Sequence, residues 1–471
     1  MRTDGLRLAC CRRMMAGLAL GAALALTARA ETPLTAENGR LLLTETALQA
    51  ALARSAGRPL PVTMPARGAA AVLGPGQKDA AAQLLRRLHA RGQAAGHWGD
   101  LYDNRDRDHS TLDPADYPQL TFLDYGPALQ ARRVDYGPAG RLILDRPVIG
   151  NSSTAVTDRV LWRSQARLLL TAPGGANTLW RAYRAGQIHV YPEHRDHDPE
   201  HGDLIPANTP YFVVSQGSSS SDRAHLRVLL MILAALRPET KALLHEQGLL
   251  APTIQMIYRR SRTPVVSRAA YLSGLAHPSV FDGRTLNAAR AVSLANAILP
   301  GDVPPVVALE VLEESRPLPG AAEERLFDTP AAIARVWRSD AGRREMLVSA
   351  EGTRDPAGRA LTFDWVLLRG DPDRVRITPL EGGARARIVL DWQAARPVPG
   401  AEAVLSPRID IGVFAHNGVH DSAPSFVSVL MPRHEGRQYE TDPDGAPRLV
   451  ARKSAPGIYA DPVIFPDAKR D

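Results

Sequence analysis

Tyr211-Phe-Val-Val-Ser-Gln-Gly-Ser-Ser-Ser-Ser-Asp222, running straight into the apolar segment Arg223–Arg237, decides the fold of the larger part of this chain. Tyr211–Val214 is a short run of β-forming residues and reads as a buried strand. The Gly/Ser stretch that follows is a turn. Arg223–Arg237 is apolar on nearly every face, as a buried helix is, and Pro238 stops it. Strand, turn and helix in that order form the unit of an α/β domain.

Working outward, further strands are expected at Leu120–Leu123, Arg141–Asp145, Arg167–Thr171 and Ile188–Tyr191. Helices are expected at Glu45–Ser55, Thr240–Gln247, Thr285–Ile298 and Gln77–Arg91, the last with Leu84, Leu85 and Leu88 on one side. These elements predict a three-layered α/β domain over 76–303, preceded by an Ala/Pro/Gly-rich segment, 31–75. Past Asp302-Val-Pro-Pro305 the texture becomes short alternating strands: Val306–Val311, Met346–Ala350, Leu361–Leu368, Val375–Thr378, Ala386–Asp391, Arg408–Phe414 and Ser425–Met431. One helix, Ala331–Arg338, is expected after Asp328-Thr-Pro330. The pattern predicts an all-β sandwich over 304–435 and a C-terminal tail, 436–471.

Within that region, Ser349-Ala-Glu-Gly-Thr-Arg-Asp-Pro-Ala-Gly-Arg-Ala-Leu-Thr-Phe-Asp-Trp365 resembles the opening of a polycystic-kidney-disease (PKD) domain, with its Asp-Pro-x-Gly turn and Leu-Thr-x-x-Trp strand. Asp410–Pro424, followed by Ser425–Leu430, is similar to the last two strands of that family. The resemblance covers Met346–Met431; the family's Trp-Asp-Phe-Gly-Asp-Gly is replaced by Trp365-Val-Leu-Leu-Arg-Gly-Asp371. It implies an Ig-like fold serving as an extracellular spacer or binding module, of the kind attached to secreted polymer-degrading enzymes, without catalysis of its own. The α/β region resembles no family of known activity.

The N-terminus carries Arg2, Arg7, Arg12 and Arg13, an apolar run from Met14 to Leu26, and Ala28-Arg-Ala30. That is the layout of a signal peptide over 1–30, with cleavage after Ala30 and a periplasmic or secreted destination. Arg12-Arg13 leaves the Sec and twin-arginine routes both open. No later segment is long and apolar enough to span a membrane. Cys10 and Cys11 are the two cysteines, so any metal in the mature chain must sit on His, Asp, Glu or Asn.

The sequence pI of 9.6 suggests nucleic acid, but residues 1–30 hold five Arg and one Asp, a net +4 of the chain's +7. Only +3 remains for the mature protein, scattered among acids with no basic stripe, so nucleic acid is not the expected partner.

Six of the thirteen histidines fall in two acidic segments, His97–His109 and His189–His201, and imidazoles beside carboxylates are common divalent-metal ligands. Pro192 and Pro199 put the second segment on a loop at a strand's end, where ligands of α/β sheets gather. There Asp196, His197 and Asp198 are candidate ligands for zinc, manganese or iron, with Glu193 or His194 moving the proton. In the first segment Asn104, Asp106 and Asp108 alternate like the start of a calcium loop. His109 stands where an EF-hand turn wants Gly, and Ala115 where it wants a bidentate Glu. If the segments converge, Asp103, Asp106, Asp108 and His109 complete one metal site.

Ser218, Ser219, Ser220 and Ser221, with Asn151 and Ser152 of Gly150-Asn-Ser-Ser-Thr154, are candidate anion or substrate contacts. The alternative is that Ser221 or Asp222 caps the helix and the other serines form a turn. Ser218 with His277 would be a serine-hydrolase pair. The leading expectation is a metal-dependent hydrolase acting on an extracellular or envelope polymer. The rivals are a non-enzymatic envelope protein that binds a solute or glycan, with calcium at most structural, and a serine hydrolase.

Overall fold

The computed structural model describes residues 34–55, 58–106, 109–131, 142–157, 162–315, 323–443 and 445–466. The expected signal peptide, Asp108 and Arg141 lie outside them. Six strands form one parallel sheet: β1 (Arg40–Leu43), β2 (Leu101–Asn104), β3 (Thr121–Tyr125), β4 (Val148–Asn151), β5 (Gln187–Pro192) and β6 (Val213–Ser215). Their spatial order is β6-β5-β4-β2-β3-β1. Alternate residues supply its two faces, as the pleat requires. Tyr102, Phe122, Ile149 and Ile188 join one core, and Leu101, Leu123 and Val148 join another.

The first core is built with the helices α2 (Ala80–Ala90), α3 (Gln165–Thr171), α4 (Gly175–Arg184), α5 (Arg223–Ala235), α6 (Pro238–Glu246), α7 (Leu250–Ser261) and α8 (Ala288–Ala297). The second is covered by α1 (Glu45–Ser55), whose bounds coincide with the expected helix. From β2 the chain steps outward to β3 and then returns to the other side of β2 as β4. That reversal opens a crevice between the carboxyl ends of β2 and β4.

Two expected strands are corrected here. Arg167–Thr171 belongs to α3, because the Ser164 hydroxyl accepts the Arg167 N–H and caps a helix. A run that short does not reveal its period in sequence. In place of a strand at Arg141–Asp145, Leu144 makes one isolated bridge to Leu60, and the strand comes later as β4.

The C-terminal region holds two packed sheets. One has the order β7-β10-β13-β12, from Glu310–Glu314 (β7), Arg343–Ser349 (β10), Val375–Leu380 (β12) and Arg385–Asp391 (β13). The other has the order β8-β9-β15-β14-β11, from Arg325–Thr329 (β8), Ala332–Val336 (β9), Thr362–Arg369 (β11), Arg408–His416 (β14) and Ser425–Leu430 (β15). Pairing is antiparallel apart from β9 with β15. Val348, Ile388 and Leu390 of the first sheet share a core with Ile409, Ile411 and Val427 of the second.

The expected helix at Ala331–Arg338 is therefore β9. Thr329 Oγ1 accepts the Ala332 N–H and shapes a hairpin turn instead of a cap, and all five residues of β9 are buried. The tail continues as a hairpin of Glu435–Thr441 with Pro447–Ser454.

Candidate functional site

Residues after the carboxyl ends of the strands meet at the crevice. β2 closes on Asp103-Asn104 and is followed by Asp106; β4 closes on Asn151, β5 leads into Glu193, and β6 leads through the serine loop to Asp222. Neighbouring registers pair Asp103 with Gly150 and Gly150 with His189. The side chains of Asp103 and His189, two strands apart, still meet at 3.2 Å. They can do so because the residue between them has no side chain; a Cβ on Gly150 would overlap the Asp103 carbonyl oxygen and the His189 ring.

Asp103 also accepts the Arg105 Nε–H at 2.9 Å and the Tyr125 hydroxyl at 3.0 Å. Burial and the Arg105 charge push His189 down to about 4, so it is neutral at physiological pH. This cluster is satisfied internally and forms the floor of the site.

Beside it lies a set of groups that is only half satisfied. Asp106 accepts the N–H of Ser153 on Oδ2, and the Ser153 hydroxyl donates to the same oxygen at 2.8 Å. Its Oδ1 is buried and has no hydrogen-bond partner. Asp222 stands at the N-cap of α5 but makes no capping bond, so neither it nor Ser221 takes the expected capping role. Its Oδ2 instead accepts the Asn151 amide at 2.7 Å, and its Oδ1 is also buried and without a partner. Burial raises the Asp222 carboxyl, and the Asp106 charge adds to the rise; Ser110 and Asn151 pull it back. Asn151 Oδ1 accepts the Tyr102 hydroxyl at 2.8 Å. On the rim, Ser220 donates its N–H to Ser110 Oγ at 2.9 Å, and both serines hold positive φ.

Asp196, Glu193, His194 and Asp198 are employed elsewhere. Both Asp196 oxygens are taken, by Arg167 Nη1 at 2.7 Å and the Ser164 N–H at 3.0 Å. Glu193 accepts the N–H groups of Gly217 (3.0 Å) and His197 (3.1 Å) and the Gln216 amide (3.1 Å), which ties the β5 and β6 loops together. Burial nevertheless pushes its carboxyl up to about 8. His194 bonds the Ser153 carbonyl at 2.8 Å, and Asp198 accepts the His201 N–H at 2.6 Å. His197 is buried beside the ion pairs of Asp203 with Arg369 and Arg408. His109 is exposed, with its carbonyl accepting from Asn104.

Among the described residues no group of three or more His, Cys, Asp or Glu is placed to hold a metal. The donor set at 193–198 does not fit an ion: Asp196 is spent on Arg167, and Glu193 on loop N–H groups. Ser152 Oγ accepts the Thr154 N–H in a turn. Ser218 and Ser220 are exposed, Ser219 half-buried, and Ser221 bonded to Ser215 at 2.8 Å. His277 is buried between the Tyr271 and Phe414 rings with Nε2 on the Tyr271 carbonyl, and no hydrogen bond links it to Ser218.

Sequence reasoning missed Tyr102, Ser110 and the buried, non-capping carboxyl of Asp222. One signal was present: Leu101-Tyr-Asp-Asn104 and Val148-Ile-Gly-Asn151 are twin runs that each begin apolar and end on Asn.

No family model matches the chain, and none of the curated proteins matches it. Among solved structures, a nucleoside hydrolase-related hypothetical protein from Saccharophagus degradans, associated with carbohydrate metabolism, is similar at 12% identity and a TM-score of 0.21. The likeness covers 60% of this chain and 71% of that one. Among the described residues no helix is long and apolar enough to cross a membrane.

Proposed function

We propose that this protein is a hydrolase of hydroxyl-rich, carbohydrate-type substrates, with Asp222 as proton donor and Asp106 as its partner carboxylate. One observation carries the reading: Asp106 Oδ1 and Asp222 Oδ1 are both buried without a partner, at the crevice where the sheet reverses its winding. A buried acceptor left unmatched costs about 1–3 kcal/mol, so a pair of them calls for a ligand rich in donors. Sugar hydroxyls supply such donors.

Two neighbouring carboxyls, one of them raised, are the equipment of general acid–base hydrolysis. The Asp222 proton goes to the leaving oxygen as the C–O bond breaks. Asp106 Oδ1 takes the proton of the attacking water as the new C–O bond forms. With the signal-like segment at 1–30 and the PKD-like strands, the proposed substrate is an envelope or extracellular glycan.

The test is release of product by the purified mature chain from a panel of oligosaccharides and aryl glycosides, beside Asp106→Asn and Asp222→Asn. Turnover that falls about a hundredfold or more in either folded variant supports the reading. Glycan-dependent thermal stabilisation without turnover would instead identify a binding protein.

A further inference from the structure

Asn151 lies between Tyr102 and Asp222, and its amide can face either way round. Both neighbours are buried, and so is Asn151. The Tyr102 hydroxyl is 2.8 Å from Asn151 Oδ1 and 3.3 Å from the Ser110 carbonyl, while the Leu112 N–H donates to it at 3.3 Å. Burial pushes the Tyr102 phenol far up, so it keeps its proton and always needs an acceptor. The best-placed acceptor is Asn151 Oδ1, and that choice turns the Asn151 N–H groups toward Asp222 Oδ2. With the amide reversed, two oxygens would face each other unless Asp222 carried its proton on Oδ2.

We propose that Asn151, oriented by Tyr102, is a positioning residue that makes Oδ1 of Asp222 the oxygen bearing the transferable proton. An N–H donated to Oδ2 stabilises lone-pair density there and disfavours protonation of that atom. The proton is thereby placed on the oxygen that makes no hydrogen bond within the protein. The inference rests on the acid–base reading of the site, and its test separates the two.

The experiment uses the mature chain with Tyr102→Phe and Asn151→Leu, each checked for folding by its melting temperature. The Asp222 carboxyl is followed through a pH titration by carbon-13 NMR of aspartate-labelled protein, its signal assigned by loss in Asp222→Asn. Both variants remove support for the ionised form, so the Asp222 titration should move to higher pH. The alkaline limb of any glycan turnover should move with it, with kcat falling more than KM changes. A titration that stays in place in folded Tyr102→Phe overturns the positioning role, even if Asn151→Leu does not fold. A titration that moves in a protein without glycan turnover supports the positioning role and sinks the hydrolase reading alone.

Discussion

Buried carboxyls in this molecule differ in what is left for them to do. Asp103 and Asp196 are saturated by Arg, His and N–H donors, whereas Asp106 and Asp222 each keep one idle oxygen. Glu193 is a third kind, bonded on both oxygens yet raised to about 8 by burial. Its folded value lies above the ordinary 4.5. Its contribution to stability is therefore complete below that ordinary value and is lost as pH rises through about 8. Glu193→Gln should flatten the fall in unfolding free energy between about pH 4.5 and 8, measured by urea denaturation. An unchanged pH slope would place the titration elsewhere. Asp196→Ala tests the saturated class. It removes one of the two carboxylates paired with the buried Arg167 and should cost about 3–5 kcal/mol. A loss under about 1 kcal/mol would contradict the pairing.

Among the elements, β4 governs the site. Gly150 lets Asp103 and His189 touch across it, and Asn151 at its end reaches Asp222. Gly150→Ala should separate Asp103 from His189 and destabilise the fold by about 1–3 kcal/mol, the usual range for an overpacked core. A crystal structure of the variant with the 3.2 Å contact intact would refute that account. Helix α3 shows the opposite economy of means. Its sequence looks strand-like, and Ser164, Arg167, Asp196 and Asp461 together hold it as a helix.

Over the whole molecule, the described residues belong to one compact unit. Phe327, Leu368, Phe414 and Phe426 of the β-rich region lie in the same apolar cluster as Tyr183 and Ile254 of the α/β region. Arg259 sits between the Phe281 and Phe426 rings at 4.9 and 5.6 Å. Buried ion pairs cross the same boundary, from Asp203 to Arg369 and Arg408, and from Arg163 and Arg167 to Asp461. Calorimetry should therefore record one cooperative unfolding transition. Two well-separated transitions would show that the regions fold independently.

The sequence by itself determined the change of texture near Pro304, the strand–turn–helix at Tyr211–Arg237 and most strands of the C-terminal sheets, because period and punctuation are local properties. It also exposed the crowding of acids and histidines near the carboxyl ends of the strands. Which of those side chains converge was decided only by tertiary structure. Leu101-Tyr-Asp-Asn104 hides as a strand because its last two residues are polar although all four are buried, and local rules fail where a chain serves a site. Asp196 and Asp222 look alike as letters, and what separates them is that Arg167, 29 residues upstream, reaches the first, whereas the Asn151 amide reaches the second. That distance is closed by the strand order, which no local pattern records.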